Sequence, residues 1–184
     1  MAGKNPLAID ISRLGLRPGS MIEVHETVPS PSRIGLDLIR IEQGAPLELD
    51  LRIESVSEGA LVTGTVSGPT TGECVRCLEP VSGEVSVDIT ELFAYPGSTT
   101  EATTEEDEVG HVVDDRVHIE QSLVDAVGLV LPFSPMCRED CAGLCPDCGV
   151  ALADAEPGHA HDKIDPRWAK LAALKDQAGD ASDG

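Results

Sequence analysis

Two widely separated groups of cysteines constrain the fold of this chain most. Cys74-Val-Arg-Cys77 comes first; after 59 intervening residues follows Cys137-x3-Cys141-x3-Cys145-x2-Cys148, and then His159-Ala-His161. Thiolates two residues apart in a tight loop can both reach one ion, at about 2.3 Å for Zn–S, and two such elements complete a tetrahedron. One C-x2-C pair is a weak signal. Two of them, with further Cys and His nearby, point to zinc, one or two ions in a structural role. Glycines support the loops: Gly72 precedes the first pair, and Gly143 and Gly149 bracket the second, where the chain must wrap tightly.

Eight candidate ligands suit two partitions. In one, Cys145, Cys148, His159 and His161 share an ion as a compact knuckle, while Cys74 and Cys77 meet Cys137 and Cys141 and staple the β-sheet to the segment after a helix. In the other, a single ion takes Cys74, Cys77, Cys145 and Cys148, leaving Cys137 and Cys141 as ordinary thiols. His159 and His161 lie in the polar run Glu-Pro-Gly-His-Ala-His-Asp, where surface histidines are also ordinary. C-x2-C pairs depress thiol pKa values, so a thiol-based redox sensor is a further reading, but the strand-to-helix context of a thioredoxin-like site is missing. Catalytic zinc needs an open position and a general base. Glu139 and Asp140 are near, yet carboxylates are abundant everywhere, and no catalytic triad or phosphate-binding loop stands out.

Lys and Arg number 13 against 33 Asp and Glu, a net charge of −20. Nucleic-acid affinity draws on Lys and Arg displacing counterions from phosphates, so this balance disfavours direct binding of RNA or DNA and favours solubility and basic partners. No stretch approaches the ~20 apolar residues that span a bilayer, and the start lacks the apolar core of a secretory signal. The expected location is cytoplasmic, a reducing compartment in which paired cysteines mean metal or redox chemistry more than disulfides.

The expected fold class is α+β: an antiparallel β meander or partial barrel packed by one or two helices, with a cysteine-rich zinc-binding segment toward the C-terminus. Residues 1–33 read as an irregular lead-in, with one helical turn over 9–16. Leu47, Leu49, Leu51 and Ile53 alternate with charged residues, the period of a half-buried strand. Glu58-Gly59 suits a turn into a second strand over 60–66, and Val85, Val87 and Ile89 lead a later strand to Phe93, so 34–95 forms the meander and 34–135 the core. A mobile acidic loop is expected near 97–108. Ile119, Leu123, Val127 and Val130 recur at helical spacing with Ala126 and Leu131 beside them, and Pro132 ends the run. The zinc segment spans 136–162. Asp165-Pro166 starts a C-terminal helix, 163–178, with Trp168, Leu171, Ala172 and Leu174 on its apolar side; 179–184 is a polar tail. With two Phe, one Tyr and one Trp in the whole chain, the core must be aliphatic.

Cys74-Val-Arg-Cys77-Leu-Glu-Pro80, the strand into Glu91-Leu-Phe93, the helix ending in Leu131-Pro132, Cys141-Ala-Gly-Leu-Cys145-Pro-Asp-Cys148-Gly149 and Lys163-Ile-Asp-Pro-Arg-Trp168 occur in the order of the YceD family, which the chain resembles over about 34–176. The resemblance implies a role in accumulation of large-subunit ribosomal RNA, hence in ribosome assembly, with no known enzymatic activity. Its motif residues here are Cys74, Arg76, Cys77, Cys145 and Cys148. Where some relatives carry a C-x-C pair, this chain has His159-Ala-His161, which is compatible with zinc. With the acidic surface, the partner this implies is a basic ribosomal protein or ribosome assembly factor; a zinc-ribbon protein binding RNA directly is the alternative.

Overall fold

The computed structural model describes residues 5–15, 17–104 and 109–161. The expected C-terminal helix and tail lie outside them. The chain divides into two compact units between Cys141 and Ala142.

The first unit is mostly antiparallel β-sheet with two helices. Its elements in chain order are β1 (Ala8–Asp10), β2 (Met21–Pro29), β3 (Ile34–Gly35), β4 (Ile39–Ile41), β5 (Pro46–Ser55), β6 (Gly59–Glu73), β7 (Pro80–Ala94), α1 (Thr99–Thr103), β8 (Gly110–His111), β9 (Arg116–His118) and α2 (Glu120–Val130). The meander β5-β6-β7 forms as the alternation predicts: Leu47, Leu49, Leu51 and Ile53 are buried, and Glu48, Asp50 and Arg52 face solvent. β5 meets β6 from Ser55↔Ala60 to Glu48↔Ser67, and β6 meets β7 along its full length, from Gly59↔Ala94 to Glu73↔Pro80. β6 is therefore much longer than the 60–66 expected, because β4 continues its other edge through Ile39↔Gly72 after β5 has ended. Among the described residues no strand pairing closes this sheet into a barrel.

The lead-in is not irregular. Leu7, Ile9 and Ile11 are buried in alternation, the period of a strand, and β1 pairs with β9 in a two-stranded ribbon where a helical turn was expected. β2 pairs with β5 over nine residues, but Ile22, Val24 and Val28 are only half-buried, so its alternation is diluted by Glu23, His25 and Glu26. In the expected acidic loop, Ser98 caps the short α1 by accepting from the Glu101 amide at 3.2 Å.

The ribbon and α2 contribute to one aliphatic core beneath the sheet, with Leu7, Ile53, Val62, Val117, Leu123 and Val127 fully enclosed. α2 packs against β7 and β3. Ile119, Leu123 and Val127 bury as expected, but Val130 is exposed and Leu131, the residue that leaves the helix in extended conformation, is buried in its stead. Gly35 makes that possible, since a Cβ there would sit 2.7 Å from Leu131 Cδ1. Glu120 ties the N-terminus of α2 to distant chain, accepting from Asn5 Nδ2 at 2.9 Å and Ser32 Oγ at 3.1 Å.

Candidate metal centres

The β6–β7 hairpin carries Cys74 and Cys77 at its tip. The Cys74 amide donates to Glu79 O at 2.8 Å and the Leu78 amide donates back to Cys74 O at 2.9 Å. The second unit builds the same loop 71 residues later, from Cys74 to Cys145: the Cys145 amide donates to Val150 O at 2.8 Å and the Gly149 amide to Cys145 O at 2.9 Å. Both loops need a left-handed residue after the second cysteine. Gly149 takes it at φ 73°, but in the first loop Leu78 does so at φ 61°, a conformation that costs a side chain about 1–2 kcal/mol. Gly72 has a different role from the wrapping expected of it. A Cβ there would lie 2.2 Å from Leu38 O, so glycine permits the close approach of β4 to β6.

The eight candidate side chains fall into two groups of four, Cys74, Cys77, Cys137 and Cys141 in the first unit and Cys145, Cys148, His159 and His161 in the second, with the donor atoms of each group within 4.8 Å of one another. The four thiols of the single-ion partition are split between these groups. Cys74 Sγ lies 3.8 Å from Cys141 Sγ, and Cys77 Sγ lies 3.7 Å from Cys137 Sγ. Bonds of about 2.3 Å to a central tetrahedral ion set sulfurs about 3.8 Å apart, so these contacts have the length of the edges of such a tetrahedron. They are also far beyond disulfide length, and all six cysteines are free thiols. In the second group Cys148 Sγ is 3.4 Å from His159 Nε2 and 3.2 Å from His161 Nε2, and the two ring nitrogens are 3.1 Å apart with the rings nearly perpendicular, at 85°. The two imidazole nitrogens and the thiol converge closely enough that one cation could be shared among them.

The segment after α2 is held to the hairpin tip by more than sulfur. The Val75 amide donates to Pro135 O at 2.9 Å, and the Arg76 guanidinium donates to Cys141 O at 2.9 Å, placing a cation beside four thiols. No local sequence pattern announces the Val75–Pro135 bond. In the second unit the loop is closed by a bridge of Leu144 to Ala151 and by the Leu152 amide donating to Gly143 O at 2.9 Å. Among its described residues only Gly143 and Cys145 are buried.

The thiols are electrostatically unequal. Cys74 is lowered from 9.0 to about 6, chiefly by the Cys137 and Cys77 amides donating to it, against the opposing effect of burial. Cys145 is lowered to about 6 in the same way by the amides of Cys148 and Asp147. Cys137 is pushed up to about 12, first by desolvation of its thiol, although the residue as a whole is exposed, and then by the Cys141 and Cys77 sulfurs. Cys77 is also raised: burial and the Cys74 and Cys141 sulfurs outweigh the lowering by the Glu79 amide. In each folded group one thiol is thus disposed to ionise at neutral pH, the form in which cysteine binds a metal.

Cys74 and Cys145 ionise more readily in the folded loops than in unfolded chain, so each favours its folded loop as pH rises from about 6 to 9 and loses that contribution as pH falls through 6; Cys137 acts oppositely, between pH 9 and 12.

A profile for a family of large ribosomal RNA subunit accumulation proteins, YceD, matches residues 62–175, more than half of the chain and both centres. The chain belongs to the YceD family. Membership implies a role in accumulation of the large ribosomal RNA subunit. Similar curated proteins include two uncharacterized proteins from Mycobacterium bovis and Mycobacterium tuberculosis, each 67% identical over 170 residues, 92% of this chain and 82% of the relative. One from Mycobacterium leprae is 61% identical over 92% of this chain and 78% of its own length. No solved structure matches. This YceD-family chain has no helix among its described residues long and apolar enough to cross a membrane.

Proposed function

We propose that the protein is a non-enzymatic, cytoplasmic factor, stabilised by two structural zinc ions, that promotes accumulation of large-subunit ribosomal RNA and ribosome assembly by contacting a basic ribosomal protein or assembly factor. The family match carries the ribosomal part of this reading. The donor sets support zinc, since four thiols, and two thiols with two imidazoles, are the closed tetrahedral sets in which zinc is structural and leaves no position for substrate. The net charge of −20 supports contact with basic protein over contact with phosphate.

Purified full-length protein, offered separately the proteins and the RNA extracted from large ribosomal subunits, should retain one or more basic proteins at low salt and release them at high salt. Retention of the RNA with no protein retained would replace this reading with direct RNA binding.

A further inference from the structure

The first metal centre is bordered by apolar side chains that the fold leaves in solvent. Leu78 is 62% exposed, Phe133 79%, Met136 39% and Val75 38%. Two contacts gather them. The Val75–Pro135 hydrogen bond lays residues 133–136 beside the hairpin tip, and Leu78 and Met136 each adjoin in sequence one of the two cysteines, Cys77 and Cys137, whose sulfurs approach to 3.7 Å. Phe133 is one of two phenylalanines in the chain, and the other, Phe93, is buried. Leu78 is the more telling. Its loop repeats the hydrogen bonds of the Cys145–Gly149 loop, in which glycine holds the left-handed position without strain. A leucine strained at that position, with most of its surface in water, gives nothing back to the fold. Departures of this kind from local preference concentrate at functional sites.

The rim of this patch is acidic. Glu79 adjoins Leu78 and Glu139 follows Cys137 closely, both exposed. Of the nearby cations, Arg138 is paired with Asp140 at 3.4 Å, and Arg76 is turned onto the Cys141 carbonyl with its charge retained. An apolar centre bordered by Glu79, Glu139 and Asp140, on a chain of net charge −20, is complementary to a Lys/Arg-rich segment bearing one or two large apolar side chains, in the pattern of a buried anchor within a polar rim.

We propose that the β6–β7 hairpin tip and residues 133–136 together form the docking surface for such a basic, apolar-anchored segment of a partner protein. This rests on the reading that the protein acts through protein contacts, and it locates that contact on Leu78 and Phe133.

The test uses full-length protein immobilised against proteins extracted from purified large ribosomal subunits. Leu78→Gly and Phe133→Ser, singly and together, should leave the metal content and melting temperature at or above wild type, because glycine suits the position and Phe133 is largely in solvent. The double variant should bind the retained basic protein about tenfold or more weakly, the scale of losing central anchors. Asp50→Lys/Asp88→Lys, which lowers the negative charge on the solvent face of the sheet, should change affinity much less. Binding by the double variant equal to wild type would overturn the docking surface while leaving the protein-contact reading in place. Absence of any retained protein with wild type would overturn both. Wild-type self-association that the double variant abolishes would assign the patch to a second copy instead and overturn the proposal.

Discussion

Removing metal from the full-length protein is expected to abolish amide protection across residues 143–161 while the β-sheet remains protected. The described residues of the second unit have almost nothing else to hold them. Its described residues bury only Gly143 and Cys145, and its backbone bonds, among them Cys145 to Val150 and Leu152 to Gly143, close short loops that cannot offset about 1–2 kcal/mol of chain entropy per residue. Metal binding supplies about 10–16 kcal/mol in small zinc-folded peptides, and there it is folding free energy. The Cys145, Cys148, His159 and His161 set occupies the same position in this unit. Hydrogen exchange of chelated protein checks the expectation, and so does Cys145→Ser, which should give the same local loss without chelator. Protection of the Cys145, Gly149 and Leu152 amides that survives both treatments would show that the loop stands without metal.

Cys74→Ser is expected to act differently. Metal content should fall from two ions per chain to one. The first unit has an aliphatic core independent of sulfur, so the sheet should persist. The damage should fall on the hairpin tip and on residues 132–141, which the Cys74–Cys141 and Cys77–Cys137 contacts hold together. The Val75 and Arg76 donors that reach Pro135 and Cys141 remain in the variant chain, but two hydrogen bonds contribute roughly 1–3 kcal/mol in total, too little to order ten residues. Arg76→Met should be milder. It keeps all eight donors and removes one supporting bond, so metal affinity at this centre should drop about 10–100-fold, as for other supporting shells. Elemental analysis with limited proteolysis separates these outcomes, since cleavage within 132–141 should appear in Cys74→Ser and stay minor in Arg76→Met.

Much of this architecture is legible in the sequence where one face of an element is buried and the other solvated. The Leu47 to Ile53 alternation marks β5 because each apolar side chain is enclosed and each charged one is in water. β2 escapes the same reading because it is a sheet edge whose apolar residues are half-buried, so charge interrupts its pattern. The candidate metal ligands are legible because cysteine and histidine at short spacing have few other uses, and the spacing within each loop survives into the structure. Their division into two sets depends on the hairpin and on the chain after α2 meeting through Val75 and Pro135, a contact made by backbone and therefore carrying no side-chain signature. The same holds for Leu78, whose left-handed conformation is invisible in a leucine and is exposed only by comparison with Gly149 in the twin loop.

The link between the cysteine-bearing loops and the family's role is tested most directly in cells depleted of this protein. There, the ratio of large to small ribosomal subunits is measured alongside precursor large-subunit RNA, with the wild-type chain, Cys74→Ser or Cys145→Ser supplied in trans at matched levels. A selective deficit of large subunits, restored by the wild-type chain and not by either variant, is the predicted result. An unchanged ratio on depletion would contradict the role in accumulation, and full rescue by both variants would contradict the claim that the two centres support it.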